Sequence, residues 1–474
     1  MDNKKYAIIG LGVSGVSTAR FLKQNNNQVI LLDSNAAPSN IDAILSLNLQ
    51  EQLFLGLDKA DIIKKIENYN PDEIVLSPGC VINFLDDLLA LNFKITCDVE
   101  LFIKYIKKNF KSQVIGITGT NGKSTTTALT HYLLKANHYN TYLGGNYGIP
   151  VFDLLDNEIT KDTVFVLELS SFQLEISHNL ELDAAVILNL APDHLDRYKN
   201  LDDYYQAKYS VYDNAKNKLV NKDQDVLGLF EDEITFSKGD VTTDFYIKDE
   251  YIYYKSNKLL NIGLIQLFGE HNKSNALASL ALIFSIISEK NLDLKIKKLI
   301  SIANNINSFK GLEHRSEVFL EDSSLIWVND SKGTNLGATV AALKGLSNFS
   351  YNKLWLFLGG ILKETDFTEI NLILNDLVAK NKLAGIFIFG QAKQKIYNNI
   401  LSEQTKNFIL LEDCKDNSVL EKIVDYILQK NVFENSKNIV LFSPACSSFD
   451  MFKNFQHRGS LFKEIVQKKY NGTK

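Results

Sequence analysis

A glycine-rich segment near residue 120 constrains this chain more than any other feature. The segment Gly116–Thr125 reads Gly-Ile-Thr-Gly-Thr-Asn-Gly-Lys-Ser-Thr, between an apolar run that favours a strand (113–117) and a run that favours a helix (126–134). Strand, glycine-rich turn, Gly-Lys-Ser and helix is the order in which a phosphate-binding loop is built. Glycines let successive backbone N–H groups face one concavity, and the helix adds its positive N-terminal end. The segment therefore predicts a phosphate site, with Lys123 on the terminal phosphates and Ser124 on Mg²⁺.

One position departs from the usual spacing of such a loop. The pattern G-x-x-x-x-G-K-[ST] requires glycine at position 117, but this chain has Ile117 there, and the glycine stands at Gly116. The alternative interpretation is a surface turn that is rich in glycine and threonine. The strand before the segment and the helix after it favour the phosphate site.

The length and composition predict a soluble protein of several domains. The 474 residues exceed what one hydrophobic core supports, so about two to four domains are expected. The net charge of −5 and the lack of a basic block argue against nucleic acid as a partner. No stretch resembles a membrane span or a signal peptide, and the four cysteines are widely spaced. We therefore expect a cytoplasmic protein without membrane insertion. We also expect a monomer, although neither composition nor spacing determines the oligomeric state.

Arginine is scarce, which gives each arginine more weight. Lysine supplies most of the positive charge, and arginine occurs only at Arg20, Arg197, Arg315 and Arg458. A guanidinium is a planar donor that forms several hydrogen bonds at once, so a retained arginine marks a place where that geometry matters. Arg20 lies on a predicted helix and is expected to be structural, whereas the other three lie in motif-like stretches.

The N-terminal region predicts a nucleotide-binding α/β unit. A strand at 4–9 is followed by Gly10-Leu-Gly-Val-Ser-Gly15, a helix and a second strand that ends on Asp33-Ser34. A G-x-G-x-x-G turn with an acidic residue about 20 residues on is typical of dinucleotide binding. From the residues alone it indicates NAD or another nucleotide, and a unit without a ligand is the alternative. We place the end of this unit near residue 105, and the lysine-rich stretch 104–111 is predicted to be a linker.

Candidate metal ligands follow buried strands in the central region. Glu168 ends an apolar strand, which makes it either a Mg²⁺ ligand beside the phosphate loop or a solvated strand end. His194 lies in a loop crowded with Asp, His and Arg, where it is either a core histidine or a ligand of a second metal ion. Lys208 lies on a helix predicted at 201–215, where a lone lysine is normally a solvated charge.

The pattern changes towards the C-terminus. Short alternating runs between about 219 and 267 predict a small antiparallel sheet. Asn275 is predicted to cap a helix that begins at residue 276. From residue 325 onwards, strands and helices alternate and each strand ends in polar or glycine residues, which predicts a third α/β domain.

Together these motifs resemble those of the Mur ligase family over the whole chain. The stretch Thr118–Thr125 is similar to the nucleotide loop of that family, whose glycine spacing accounts for Ile117. Two further stretches resemble its other ATP-site motifs, 269–275 and 330–335. Three stretches resemble the branch of the family that adds D-glutamate, 168–175, 193–198 and 443–459.

The resemblance implies an α/β fold of three domains. These are a Rossmann-like N-terminal domain for a UDP-linked substrate (1–105), a phosphate-loop ATPase-type central domain with a small antiparallel sheet (106–311) and a Rossmann-like C-terminal domain for D-glutamate (312–474). The implied reaction joins UDP-N-acetylmuramoyl-L-alanine to D-glutamate with ATP hydrolysis, through an acyl phosphate, in the cytoplasmic phase of peptidoglycan synthesis. The implied cofactors are ATP and two Mg²⁺ ions, and domain closure is expected about a hinge near 309–316.

The resemblance also implies roles for single residues. The implied ATP contacts are Gly119, Thr120, Asn121, Gly122, Lys123, Ser124, Thr125, Asn275, Arg315 and Asp330, the last on the ribose. The implied contacts of the UDP-linked substrate are Ser14, Asp33, Ser34, Ser77, Pro78, Gly79, Asn146, Ser170 and Gln173. The implied D-glutamate residues are Lys332, Thr334, Lys363, Ser448 and Phe455. The implied metal ligands are Ser124, Glu168, His194 and, once carbamylated, Lys208, and the implied catalytic residues are Lys123, Glu168, His194 and Lys208. One departure affects Lys363, since the Asp frequently found between Gly360 and this lysine is missing.

Several alternatives remain beside the ligase. A folylpolyglutamate synthetase shares the ATP core but lacks the glycine-turn domain that residues 1–100 supply. Other muramyl ligases are closer, and the stretch 443–459 argues against them. An NAD-dependent oxidoreductase is supported only by residues 10–33, and it leaves the phosphate loop unexplained. A nucleotide-gated binding protein would require that four residues lie on the surface by chance and have no catalytic role, namely Glu168, His194, Lys208 and Lys332.

Overall fold

The computed structural model describes residues 3–78, 85–193, 197–224, 233–265, 267, 269–346, 349–363, 365–412, 416–431 and 437–472. The chain divides into two compact units. The first comprises Met1–Ile265 and Lys273–Asn307, and the second comprises Gln266–Asn272 and Ser308–Lys474. Among the described residues, no helix has the length and apolar character that crossing a membrane requires.

The first unit begins with a parallel sheet that carries the glycine turn. Its strands, within the described residues, are β1 Lys5–Ile9, β2 Gln28–Leu32, β3 Leu53–Phe54, β4 Glu73–Leu76 and β5 Ile95–Thr96. They lie in the order β3-β2-β1-β4-β5. The helices between and after them are α1 Val13–Gln24, α2 Ile41–Leu45, α3 Lys59–Tyr69, α4 Leu85–Ala90 and α5 Asp98–Asn109. The predicted linker at 104–111 is wrong for most of its length, because α5 continues to Asn109.

The same unit contains the sheet that carries the phosphate loop. Its described strands are β6 Gln113–Thr118, β7 Thr141–Gly145, β8 Val164–Glu168, β9 Ala184–Ile187, β10 Asn217–Asn221, β11 Ile234–Ser237, β12 Phe245–Lys248, β13 Tyr251–Tyr254 and β14 Asn257–Asn261. They lie in the order β14-β13-β12-β11-β10-β9-β6-β8-β7. The helices are α6 Lys123–Ala136, α7 Ser171–Glu175, α8 Leu201–Tyr209, α9 His271–Ile286 and α10 Leu292–Ala303.

One detail of this sheet and one detail of helix α9 bear on the predictions. The antiparallel strands predicted near 219–267 are present as β12, β13 and β14, and they extend the parallel sheet at one edge. The predicted cap at Asn275 is wrong, because α9 already begins at His271 and Asn275 lies in its second turn.

One hydrophobic core joins the two sheets of the first unit. It includes Ile8 and Leu31 from the first sheet and Val114 and Leu167 from the second. Aromatic rings mark the junction, where Phe21 of α1 stacks on Phe152 with ring centroids 4.2 Å apart. The glycine turn and the phosphate loop therefore belong to one compact unit with a shared core.

The second unit is built on a third sheet. Its strands in the described part of the chain are β15 Glu317–Glu321, β16 Leu325–Asn329, β17 Leu354–Gly359, β18 Leu383–Phe389, β19 Ile409–Leu411 and β20 Asn438–Phe442. Their order is β15-β16-β20-β17-β18-β19, and β15 alone of these strands runs antiparallel to its neighbour. The helices are α11 Leu336–Gly345, α12 Thr368–Ala379, α13 Lys393–Asn399, α14 Glu403–Lys406, α15 Val419–Asn431 and α16 Phe455–Gly472.

Successive residues of β17 alternate between two buried layers. Leu354 and Leu356 pack in one apolar cluster, whereas Trp355 and Phe357 pack in an aromatic cluster on the other face. A sheet covered on both faces explains why β17 is apolar throughout. Because both faces are buried, the polar groups of this unit gather at the carboxyl ends of its parallel strands.

Candidate active site

The phosphate loop has the shape that its sequence predicts. It joins β6 to α6, and Gly122, the residue before the helix, has φ +82°. A side chain at Gly122 would place its Cβ 2.5 Å from the Asn275 Oδ1 atom, so only glycine fits there. This contact also brings Asn275, predicted from a distant part of the chain, against the loop.

Asn189, at the end of β9, holds the loop from the side. The backbone N–H of Thr120 donates to the Asn189 carbonyl at 3.0 Å, and the N–H of Asn121 donates to its side-chain oxygen at 2.8 Å. The Lys123 ammonium donates to the carbonyls of Gly119 and Thr120, both at 2.8 Å. Asn189 was not among the predicted site residues, although a polar residue two positions after a buried strand was the available signal.

A buried carboxylate faces the first turn of α6. Glu168 is 2% exposed, and Ser124 donates to its Oε2 atom at 2.6 Å. The Asn146 amide donates to its Oε1 atom at 2.7 Å. The alternative interpretation of Glu168 as a solvated strand end is therefore wrong. Two oxygen donors this close suit a hard divalent cation such as Mg²⁺.

Lys208 lies buried beside the same loop. Its Nζ atom donates to the Gly119 carbonyl at 3.0 Å and lies 4.7 Å from the centre of the Tyr204 ring. The residue is 2% exposed, so the interpretation as a solvated helical lysine is wrong. Burial and the nearby Lys123 charge lower the pKa of Lys208 to about 7, although Asp193 and Glu168 oppose the shift. Near neutral pH a large fraction of this amine is unprotonated and nucleophilic.

The predicted UDP-substrate residues of the first sheet gather at its carboxyl edge. Both Asp33 oxygens accept backbone N–H groups, from Leu11 at 2.6 Å and from Asn35 at 2.8 Å. The Ser77 hydroxyl donates to the Gly10 carbonyl at 2.7 Å. Ser34 is exposed at the same edge. The glycine turn, Asp33 and Ser77 thus form one connected group, with Pro78 following Ser77.

Asp98 links two other predicted substrate residues. It is 3% exposed, and the side chains of Ser14 and Gln173 hydrogen-bond to it. Burial raises the pKa of Asp98 despite those bonds and the bond from the Val99 N–H. Asp98 was not among the predicted site residues, because its only signal in the sequence is an acid at the start of a helix after a strand.

Ser170 and Gln173 form a capping box at the start of α7. The Ser170 hydroxyl accepts the Gln173 N–H at 3.2 Å, and the Gln173 side-chain oxygen accepts the Ser170 N–H at 3.0 Å. Their side chains are held directly after Glu168, so α7 fixes their positions relative to the phosphate loop. Two predicted residues, Gly79 and His194, lie outside the described residues.

The second unit brings together other predicted ATP contacts. Asp330 follows β16, and its two oxygens accept from the Ser443 hydroxyl at 2.6 Å and from the Ser316 N–H at 2.9 Å. Burial raises the pKa of Asp330 to about 6, although these bonds and the Arg315 charge oppose the shift. Arg315 and Asp330 are therefore neighbours within this unit.

Four of the predicted D-glutamate residues lie on loops that follow β16, β17 and β20, and the fifth, Phe455, is the first residue of α16. The Lys332 ammonium stands 4.2 Å from the centre of the Phe455 ring, which is a cation–π distance. Ser448 is 2% exposed, whereas Lys363 is exposed and Thr334 is half-buried. The structure thus brings Lys332 and Phe455 into contact.

Family models match two regions of the chain. Residues 4–89 match the model described as Mur ligase MurD-like, N-terminal domain, and residues 117–283 match the Mur ligase middle domain. A UDP-N-acetylmuramoylalanine--D-glutamate ligase of Shewanella violacea is 34% identical over 98% of this chain and 96% of that protein. The chain belongs to the Mur ligase family.

Further relatives agree with this membership. A UDP-N-acetylmuramoylalanine--D-glutamate ligase of Haemophilus influenzae strain 86-028NP is 33% identical over 98% of each protein. Among solved structures, the UDP-N-acetylmuramate-alanine ligase of Thermotoga maritima matches with a TM-score of 0.56 and 18% identity, over 100% of both chains. A MurF of Acinetobacter baumannii also matches with a TM-score of 0.56, at 17% identity, over 77% of this chain and 79% of that one. These distant structures share the predicted α/β fold of three domains.

The two glycine-rich turns of the first unit lie in different matched regions of this Mur ligase. The glycine turn at 10–15 lies in the N-terminal match, and the phosphate loop lies in the middle-domain match. The alternative of an NAD-dependent oxidoreductase, which used only the first turn, therefore loses its basis. The family match does not alter the positions of single residues that are described above.

Proposed function

We propose that this Mur ligase joins UDP-N-acetylmuramoyl-L-alanine to D-glutamate with ATP, as a step of peptidoglycan precursor synthesis. The observation that carries the proposal is the convergence of Ser124, Glu168 and Lys208 on the phosphate loop. Relatives that share 34% of the sequence over nearly the whole chain are named UDP-N-acetylmuramoylalanine--D-glutamate ligases. The geometry supplies a phosphoryl-transfer site, and the relatives' names supply the substrates.

The reaction proceeds in two steps. The substrate carboxylate attacks the γ-phosphorus of ATP, the bond to the bridging oxygen breaks, and ADP leaves an acyl phosphate behind. The free amine of D-glutamate then attacks the acyl carbon, and a tetrahedral intermediate collapses to the amide as inorganic phosphate leaves. Coupling to ATP reverses the unfavourable free energy of amide formation in water.

The phosphate loop stabilises the charge that moves in the first step. Lys123 and the backbone N–H groups of the loop, apart from those of Thr120 and Asn121, which donate to Asn189, would donate to the transferring phosphoryl group. For this the Lys123 ammonium exchanges the Gly119 and Thr120 carbonyls, which it now contacts, for phosphate oxygens. Asn275, packed against Gly122, fixes the outer wall of the loop.

Ser124 and Glu168 fit a Mg²⁺ site on the ATP phosphates. Both side chains are buried, both offer oxygen ligands and their oxygens are 2.6 Å apart. Bound Mg²⁺ supplies Lewis-acid neutralisation of the phosphate oxygens. A second Mg²⁺ is proposed at His194 and Lys208, on the family resemblance.

Carbamylation of Lys208 is part of the proposal. Its unprotonated amine attacks CO₂, forms an N–C bond and loses one proton, which leaves a carboxylate-like group at the end of the side chain. The lowered pKa and the buried position support this chemistry, because only the neutral amine reacts. Intact-mass measurement of peptides around Lys208, prepared with and without bicarbonate, tests it.

The remaining assignments are proposed on the family resemblance. The UDP moiety occupies the edge that carries Ser14, Asp33, Ser34, Ser77, Pro78 and Gly79, with Asn146, Ser170 and Gln173 as further substrate contacts. D-glutamate contacts Lys332, Thr334, Lys363, Ser448 and Phe455, and ATP also contacts Arg315 and Asp330. The domain limits 1–105, 106–311 and 312–474, a hinge near 309–316, a monomeric state and a cytoplasmic location complete the proposal.

Phosphate release from ATP tests the function. With UDP-N-acetylmuramoyl-L-alanine present, we expect release that depends on D-glutamate, fails with L-glutamate and L-lysine, and disappears in Lys123→Ala. Release that responds to another amino acid would keep the ligase chemistry and overturn the D-glutamate assignment. Absence of release under every combination, with binding of NAD instead, would overturn the proposed function.

A further inference from the structure

Arg458 is a buried arginine at the start of α16 in the second unit. It is 0% exposed, and its guanidinium donates to two atoms of one residue, from Nε to the Ser331 hydroxyl at 3.0 Å and from Nη2 to the Ser331 carbonyl at 2.8 Å. Its Nη1 donates to the carbonyls of Cys446 at 3.0 Å and Gly359 at 3.4 Å. All four acceptors are uncharged and three of them are backbone carbonyls, so the guanidinium binds the backbone of the unit at several points.

The acceptors belong to three different loops. Ser331 lies in the loop after β16, Gly359 ends β17, and Cys446 lies in the loop after β20. Each loop carries residues of the proposed amino-acid pocket, which are Lys332 and Thr334, Lys363, and Ser448 respectively. One side chain therefore bridges the three segments that hold most of the pocket.

The loops are also in direct backbone contact. The Ile361 N–H donates to the Ser447 carbonyl at 2.8 Å, and the Ser447 N–H donates back to Ile361 at 2.9 Å. Gly360 has φ +130°, and a Cβ there would stand 2.1 Å from the Ser447 carbonyl oxygen. The remaining segment, after β16, also contacts α16, since the Ser331 hydroxyl donates to the Phe455 carbonyl at 2.9 Å.

The cost of burying this charge indicates that its geometry has a role. Burial lowers the pKa of Arg458 to about 10, partly offset by Cys446, Asp450 and Asp330. An apolar side chain of similar volume packs without desolvating a charge, so packing alone does not call for arginine. A lysine donates from one nitrogen, whereas the guanidinium donates from three nitrogens that are fixed in one plane.

We infer that Arg458 is a positioning residue for the amino-acid pocket, because its guanidinium fixes the spacing of the three loops that carry Lys332, Lys363 and Ser448. The inference rests on the proposed function, in that the pocket is taken to bind D-glutamate. Arg458 acts through these loops, and its loss changes amino-acid recognition more than it changes recognition of the other substrates.

Steady-state kinetics of Arg458→Met and Arg458→Lys test the inference. Methionine keeps much of the volume and loses every donor, so we expect the KM for D-glutamate to rise about tenfold or more. We expect the KM values for ATP and for the UDP-linked substrate to change by about threefold at most, and Arg458→Lys to be intermediate. Equal increases in all three KM values, or an unchanged KM for D-glutamate, would overturn the inference.

Two controls separate positioning from a general loss of stability. Trp327→Phe removes from strand β16 a buried donor to Tyr470, outside the three loops themselves, and should lower the unfolding temperature without changing the KM for D-glutamate. Arg20→Lys alters an arginine of the first unit that pairs with Asp153, and should leave all kinetic constants unchanged. An Arg458 variant that behaves like Trp327→Phe is merely a stability variant, and the inference fails.

A smaller change keeps the test valid if the Arg458 variants do not fold. Ser331→Ala removes one acceptor of the guanidinium, and with it the hydroxyl's bond to the Phe455 carbonyl, but leaves the arginine in place. We therefore expect a smaller increase in the same KM. An unchanged KM in Ser331→Ala, with Arg458 variants insoluble, would count against the inference. Failure of the wild-type protein to respond to D-glutamate would instead refute the proposed function, before any variant is compared.

Discussion

Lys208 and Arg458 are buried cations in different units, and they differ in what burial does to them. Lys208 is 2% exposed and Arg458 is 0% exposed, and both donate to backbone carbonyls of loops that follow strands. The pKa of Lys208 falls to about 7, so its amine exchanges its proton near neutral pH. The pKa of Arg458 falls only to about 10, so its guanidinium stays charged there.

The difference shows that burial of a cation has different consequences for a lysine and for an arginine. A lysine placed beside Lys123 in a buried site becomes a reactive group, because charge repulsion and desolvation both favour the neutral amine. A guanidinium placed among carbonyls stays a structural donor, because its delocalised charge resists deprotonation. Lys208 therefore suits chemistry, and Arg458 suits the positioning of loops.

Replacing Lys208 by arginine is the most direct test of the comparison between the two buried cations. Lys208→Arg keeps a positive charge but removes the neutral amine, so we expect turnover to fall by roughly 10³-fold, about 4 kcal/mol of transition-state stabilisation. Phosphate release under saturating substrates measures it, with the exposed Lys161→Arg as the matched control. Wild-type turnover in Lys208→Arg would mean that charge alone matters at this position.

Glu168 sharpens the contrast, because its carboxylate raises the pKa of Lys208. Glu168→Gln keeps the size of the side chain and removes its charge, so we expect turnover to fall by roughly 10²-fold and the Mg²⁺ concentration for half-maximal activity to rise. A Mg²⁺ titration of phosphate release measures both, beside the exposed Glu158→Gln. The same Mg²⁺ requirement in variant and wild type would remove Glu168 from the proposed metal site.

Asp183 offers a third arrangement, a buried carboxylate between two lysines. It accepts from Lys107, from Lys216 at 2.7 Å and from the Val114 N–H at 2.8 Å. Burial alone would raise its pKa, but these partners outweigh burial and lower it. We expect Asp183→Asn to lower the free energy of unfolding of the first unit by about 3 kcal/mol at pH 7.

The pH dependence of that loss follows from the sign of the shift. A folded-state pKa below the ordinary Asp value of about 4 means that the stabilisation is complete above that value. It is lost as the pH falls through the lower folded-state pKa, so variant and wild type should converge in acid. Urea denaturation at several pH values measures this, and a constant difference would show that charge is not the source.

An exposed ion pair is expected to contribute least to the free energy of unfolding. Lys380 and Asp376 lie four residues apart at the end of α12, with their nitrogen and oxygen 2.8 Å apart, and both side chains are more than half exposed. Lys380→Ala should therefore change the free energy of unfolding by less than about 0.5 kcal/mol. A loss of the size expected for Asp183 would show that exposure is a poor guide to the value of ion pairs in this protein.

The phosphate loop was predictable from sequence because its parts are contiguous. Gly119, Gly122, Lys123 and Ser124 lie within six residues, and strand, turn and helix periodicities mark both sides of the loop. The linker prediction at 104–111 failed because it used only local composition, whereas the structure there depends on a distant partner. A run of lysines indicates polarity, but Lys107 lies on α5 and pairs with Asp183, a partner 76 residues away.

Residues that act at a distance were harder to predict. Asp98 hydrogen-bonds to Ser14 and Gln173, which lie on opposite sides of it in the chain, and no spacing marks that arrangement. Asn275 was expected as a helix cap, but it lies within α9 and contacts Gly122. Packing between elements decides both contacts, and local propensity carries no information about it.

The sequence by itself determined the α/β class, the two glycine-rich turns and the members of the phosphate loop, because these depend on local dihedral preferences and on apolar periodicity. Only the tertiary structure decided that Lys208 is a buried amine and that Arg458 joins three loops. Burial and desolvation arise where distant segments meet, so the same lysine or arginine in a linear motif has no fixed chemistry until the fold surrounds it.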